Sequence, residues 1–171
     1  MSNGCVGLFY YSGHGIQYEG INYLIPVDAN INRESDIKYA ALNANKILDY
    51  MRDENGNGMN IIILDACRNN PFRKFRSLGR GLAETTASLG FIIGYATSPG
   101  SVASDGTERN GVYTNYLLSA MKTPGLTIEN VFKRVLQGTS SETQGKQTPW
   151  VSSSFVGDFY FIPPSGDVKP T

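Results

Sequence analysis

Residues 59–68 read Met59-Asn60-Ile61-Ile62-Ile63-Leu64-Asp65-Ala66-Cys67-Arg68. The stretch from Met59 to Leu64 is apolar but for Asn60 and carries three consecutive isoleucines, as a strand buried on both faces of a parallel sheet requires. Asp65-Ala66-Cys67-Arg68 follows at its end.

Two other runs share this character. Val6 to Tyr11 is apolar and aromatic and empties into Ser12-Gly13-His14-Gly15, a glycine-permitted turn that puts His14 just past a strand end. Gly90 to Tyr95 stops at Thr97-Ser98-Pro99-Gly100. Between the first two strands lies a shorter extended arm, Asn22 to Val27, and then Ala41 to Met51, where Ala44, Ile47, Leu48 and Met51 recur at helical offsets. Gly56 and Gly58 end that helix. Tyr113, Tyr116, Leu117, Ala120 and Met121 predict another helix, and Ile128, Val131, Phe132, Val135 and Leu136 a further one, with Thr127 as its cap. Asp158 to Ile162 reads as a short aromatic strand. Strands alternating with helices predict an α/β sandwich with a mainly parallel sheet. In such sheets sites gather beyond the carboxyl ends of the strands, where both His14 and Cys67 are expected.

With 171 residues the chain suits one domain, set at 1–162, with 163–171 as a flexible tail. Hydrophobic residues at 40% and charged residues at 18% are the composition of a folded protein. Lys plus Arg number 15 against 15 Asp plus Glu, which gives no broad attraction to nucleic acid or to a membrane surface. The local excess Arg68, Arg73, Lys74, Arg76 and Arg80 reads as a solvated loop. Two cysteines, Cys5 and Cys67, and a single histidine cannot fill a zinc site without distant carboxylates, so no metal and no cofactor are expected. Two free thiols and the lack of a leader or apolar span point to a reducing, cytoplasmic setting.

A lone cysteine is commonly a small buried hydrophobe. Cys67, however, comes after its apolar run, beside Arg68 and Asn69-Asn70, where a thiol is accessible and its thiolate stabilised. His14 supplies a partner. The glycines around it let a bound peptide approach closely, and the Gly15 N–H can face a developing oxyanion.

Tyr10-Tyr11-Ser12-Gly13-His14-Gly15 together with Leu64-Asp65-Ala66-Cys67-Arg68 resembles the two active-site motifs of the caspase-like cysteine peptidases, in particular paracaspases, metacaspases and their bacterial relatives. The separation of His14 and Cys67 suits that family. The resemblance implies a caspase-like three-layer sandwich and an endopeptidase acting on protein or peptide substrates, with Cys67 as nucleophile, His14 as acid and base, and the backbone N–H groups of Gly15 and Cys67 as oxyanion donors. Asp65 stands where caspases carry a glutamine that helps hold an acidic side chain, and Asn69 stands in place of a glycine. An acid at that position is the pattern of basic-specific relatives, so the resemblance implies that Asp65 faces a P1 Arg or Lys. Along Tyr95-Ala96-Thr97-Ser98-Pro99-Gly100 the same resemblance puts Asp105 in the S1 pocket as a second acid.

The likeness runs from about Val6 to about Ile162. Caspase-like domains open with a strand, a helix and a second strand before the histidine motif, and the sequence as given shows no such element, so the His-bearing strand is expected to have an unpaired edge that a second copy or another partner fills. Residues 71–90 fall where caspases keep the loop between their subunits, and the basic residues there make it a candidate for self-cleavage. Metacaspases often need calcium, but no run of closely spaced acids reads as a calcium loop. The alternative to an enzyme is an inactive caspase-like scaffold.

Overall fold

The computed structural model describes residues 5–56, 58–67, 82, 85–98 and 111–165, with Cys67 described by its backbone. In chain order the elements are β1 (Val6–Tyr18), β2 (Ile21–Ile25), a 3-10 turn (Glu34–Asp36), α1 (Ile37–Ala40), β3 (Leu42–Asn43), α2 (Ala44–Asn55), β4 (Met59–Cys67), β5 (Phe91–Tyr95), α3 (Val112–Met121), α4 (Ile128–Glu142) and β6 (Trp150–Ser153). The described strands make one six-stranded sheet in the order β3-β2-β1-β4-β5-β6. β1, β4 and β5 run parallel to one another at its centre, and β2, β3 and β6 add antiparallel strands outside them. The α/β class and the parallel core agree with the sequence reading, while the whole sheet is mixed.

Successive isoleucines of β4 divide the molecule into layers. Ile61 and Ile63 pack with Ile92 against Tyr113, Leu117, Ile128, Phe132 and Val135 of α3 and α4. Ile62 and Leu64 pack with Ile93 and Phe91 against Ile47 and Leu48 of α2. This is the period-two alternation of a strand with a core on each side. α2 starts at Asn43, whose side chain accepts from the Asn45 N–H at 2.9 Å, an N-cap bond. On the other face α4 approaches β5 closely because residue 94 is glycine. A Cβ there would strike the Phe132 ring, with Cζ at 2.9 Å, and would come within 3.1 Å of the Tyr113 hydroxyl.

Several boundaries correct the sequence reading. Ser12-Gly13-His14-Gly15 is not a turn after a strand: β1 continues through it to Tyr18 because it changes partner there. Val6 to His14 pair with β4, and His14 to Tyr18 pair with β2. The Tyr11 hydroxyl is shared between the carbonyls of His14, at 2.9 Å, and Ile25, at 2.8 Å, and so ties the two strands where the partner changes. Likewise β4 includes Asp65 and ends at Cys67. β6 was not anticipated, since Trp150-Val151-Ser152-Ser153 is short and half polar.

The stretch 158–162 forms a single bridge, Thr127 with Tyr160, instead of a strand. Its carbonyls have another use: Phe159 O accepts the Ile128 N–H at 2.9 Å, and Ile162 O accepts the Gly125 N–H at 2.9 Å. Thr127 is the N-cap residue of α4 but makes no side-chain cap bond, and the Phe159 carbonyl takes up a different free donor of the first turn, the Ile128 N–H.

On the side away from β4, Val6 to Gly13 has no ladder partner among the described residues. Val6, Leu8 and Tyr10, alternate residues of this stretch, are 48%, 52% and 44% exposed, so one face of the strand is open as well as its edge. No helix among the described residues is long and apolar enough to cross a membrane.

Three variants check this packing. Gly94→Ala is expected to destabilise the fold by about 1–3 kcal/mol through overpacking, and Gly94→Ala/Phe132→Leu to regain part of that loss, both read from urea unfolding midpoints. Tyr11→Phe strips the hydroxyl from two strand carbonyls and should cost about 1–3 kcal/mol in the same measurement.

Candidate active site

At the carboxyl end of the parallel core the ladder between β1 and β4 pairs Ser12 with Asp65, Gly13 with Ala66 and His14 with Cys67. Neighbouring strands lie about 4.8 Å apart, so His14 and Cys67 are adjacent across the ladder although far apart in sequence. His14 is exposed and Asp65 half-buried. Gly15, the next residue of β1, is buried, and a Cβ on it would lie 2.7 Å from Leu82 Cδ2 and 2.8 Å from Cγ. Leu82, itself 2% exposed, therefore supports the histidine-bearing strand from the α2 side. The Gly13 backbone has the corresponding contact with the ring of Tyr11, whose hydroxyl would lie 2.6 Å from a Cβ at residue 13. Glycine at both positions is a consequence of close approach on the face opposite His14.

The Asp65 carboxylate belongs to a polar group contributed by three elements. Thr114 Oγ1 of α3 donates to Asp65 Oδ2 at 2.5 Å. The Tyr10 hydroxyl of β1 lies 2.9 Å from Thr114 Oγ1 and 3.5 Å from Asp65 Oδ2. Beneath them Tyr113 is buried, and its hydroxyl has no hydrogen-bond partner among the described residues. Burial, and then the nearby negative charge of Asp65 and the phenol of Tyr10, push the Tyr113 hydroxyl well above the ordinary tyrosine range. It stays a neutral phenol at all physiological pH values.

Of the residues singled out in the sequence, His14, Gly15, Asp65 and the backbone of Cys67 come together at this strand end. Asp105 lies outside the described residues, as do Arg68, Arg73, Lys74, Arg76 and Arg80. The candidate cleavage loop is outside them too, except Leu82 and 85–90. Sequence reasoning passed over Thr114 and Leu82, and it quoted Tyr10 and Tyr11 without giving either a role. A threonine in the first turn of a helix carries no signal of what faces it across a sheet. Among the described residues no group of three or more His, Cys, Asp or Glu stands close enough together to hold a metal ion.

Known proteins resemble the chain in sequence and in fold. A stretch of 161 residues is 29% identical to mucosa-associated lymphoid tissue lymphoma translocation protein 1 of Homo sapiens, covering 90% of this chain and 18% of that protein. The Mus musculus homolog is 31% identical over 121 residues, 68% of this chain and 14% of its own length. The chain thus spans less than a fifth of either relative. Caspase-1 from Spodoptera frugiperda superposes with a TM-score of 0.54 at 15% identity, covering 93% of this chain and 64% of that one, which is a likeness of fold. The family model of the caspase domain matches residues 1–160, and with its histidine and cysteine motifs side by side in one parallel ladder the chain belongs to the caspase-domain family of cysteine peptidases.

Proposed function

We propose that this chain is the catalytic part of a cysteine endopeptidase that cleaves after a basic P1 residue, with Cys67 as nucleophile and His14 as acid and base. The observation that carries the reading is the pairing of His14 with Cys67 at the end of β1 and β4, with Asp65 two residues before Cys67 on the same strand. A nucleophile and its base must stand within hydrogen-bond reach of each other, and the adjacent register positions of His14 and Cys67 on neighbouring strands support that pairing.

The chemistry is acyl transfer. The Cys67 thiolate adds to the scissile carbonyl carbon, and the charge passes to the carbonyl oxygen, which the backbone N–H groups of Gly15 and Cys67 stabilise. Collapse breaks the C–N bond as His14 protonates the departing amine, leaving a thioester. His14 then takes a proton from water as that water attacks the thioester, and the acid product and the thiolate are released. The exposure of His14 supports this role, since substrate and water both have to reach it.

Selection of Arg or Lys rests on Asp65. An ionised carboxylate and a guanidinium or ammonium form a charge-assisted pair that a neutral P1 side chain cannot replace. Asp105 is the proposed second acid of the pocket.

Hydrolysis of matched peptides ending in Arg, Lys or Asp tests both parts. Cys67→Ala is expected to lower turnover by at least about a thousandfold. Asp65→Asn should reduce kcat/KM for the Arg peptide by about 10–100-fold, the equivalent of one lost charge-assisted hydrogen bond. Preference of the wild type for Asp at P1 would refute the basic pocket. An Arg-directed acyloxymethyl ketone that leaves Cys67 unmodified would refute the nucleophile and favour a non-catalytic scaffold.

A further inference from the structure

The Asp65 carboxylate does not stand alone at the mouth of the sheet. Its Oδ2 accepts from Thr114 Oγ1 at 2.5 Å, and the direction of the neighbouring bond follows from counting protons. A threonine hydroxyl has one proton, and a carboxylate can only accept it. With that proton on Asp65, Thr114 Oγ1 can only accept across its 2.9 Å contact with Tyr10, and the same phenol lies at a longer 3.5 Å from Asp65 Oδ2. The shorter contact dominates, so the main line of donation runs from Tyr10 to Thr114 to Asp65, each donation strengthening the next.

Thr114 is the third residue of α3, whose N-cap is Gly111 with no side-chain cap bond and whose first turn has no acid of its own. The carboxylate that meets this turn comes from β4. A negative charge near the amino end of a helix is favoured by the helix dipole, so a carboxylate is well placed here, and the hydroxyl on Oδ2 fixes its rotation. Both conditions serve recognition of a planar cation. A freely rotating carboxylate would lose rotamer freedom on each binding event, and one already oriented loses less.

We propose that Thr114 is a positioning residue for basic P1 selection, with the Tyr10 hydroxyl acting behind it: together they hold the Asp65 carboxylate in the orientation that receives an arginine side chain. This rests on the reading of Asp65 as the S1 acid, and the experiment separates the two claims. Paired peptides ending in Arg or in its uncharged isostere citrulline are compared on the wild type, Asp65→Asn, Thr114→Val, Thr114→Ser, Tyr10→Phe and the double variant Thr114→Val/Tyr10→Phe.

Thr114→Val keeps the side-chain shape and removes the donor. It is expected to lower the Arg:citrulline ratio of kcat/KM by about tenfold, chiefly through KM for the Arg peptide, with Thr114→Ser restoring the ratio to within about twofold. Tyr10→Phe should lower it by about threefold, and the double variant should fall little further than Thr114→Val, because the 2.9 Å contact through which Tyr10 chiefly acts is already gone and its direct contact with Asp65 is the long one, at 3.5 Å. A ratio unmoved by Thr114→Val in an enzyme whose ratio falls in Asp65→Asn overturns the positioning role and leaves the S1 acid standing. A ratio unmoved by Asp65→Asn overturns both. Loss of turnover on both peptides alike, with the ratio kept, assigns Thr114 to fold support and likewise overturns the proposal. Thermal melting of each variant shows whether it has folded.

Discussion

Backbone hydrogen bonding between β1 and β4 holds Val6 opposite Met59 at one end and His14 opposite Cys67 at the other. A slip of one residue would put His14 opposite Ala66 and turn every β1 side chain to the other face. β4 offers little resistance to such a slip by hydrophobicity alone, because both of its faces are apolar. Its position is pinned instead by a buried polar contact. Asn55 Nδ2, at the end of α2, donates to Met59 O and to Asn60 Oδ1, both at 2.9 Å, and the Asn60 N–H donates to Gly90 O at 2.8 Å. Asn60 is 1% exposed. A buried amide left without partners costs several times what a misplaced methyl does, so this asparagine fixes where β4 starts and thereby where Cys67 ends up.

Along the same ladder one sheet face changes character. Met59, Ile61 and Ile63 lie in the apolar layer under α3 and α4, whereas Asp65 has Thr114 and Tyr10 as neighbours. Tyr10 stands where the change occurs, with a ring on the apolar part of the strand and a hydroxyl in the polar part. α3 accommodates both halves: Tyr113 and Leu117 enter the core, and Thr114, next to Tyr113 in its first turn, turns to the carboxylate. The helix that closes the core is thus also a wall of the site.

The layers, the parallel core and the pair His14 and Cys67 were legible in the sequence because each depends on a local pattern: three apolar runs, helical spacing of apolar residues, and two short motifs. What was not legible depends on contacts between distant residues. Gly13 and Gly15 read as turn residues, since a glycine cluster usually breaks a strand, but here the glycines make room for Tyr11 and Leu82 while the strand continues. Phe159, Tyr160 and Phe161 read as a strand from their aromatic character. Phe159 and Phe161 in fact pack edge to face at 5.1 Å against the α3 and α4 layer, and the Phe159 carbonyl caps α4. β6 escaped because two serines in four residues give no apolar alternation. Thr114 had no sequence signature at all, since its significance lies wholly in what β4 brings to it.

His14 has one more property that its motif does not reveal. It is paired with Cys67 on one side and with Ile25 on the other, while the residues before it on β1 have β4 alone and those after it have β2 alone. A strand held by a single ladder can fray at its free edge, whereas a residue held from both sides moves only if two ladders open together. Tyr11 adds a third restraint by joining the carbonyls of His14 and Ile25 through its hydroxyl. A group that is to act as acid and base, the role proposed for His14, must keep its place to within a fraction of an ångström, and His14 lies at the overlap of two ladders, with the stretch Val6 to Gly13, paired with β4 alone, ending where that overlap begins.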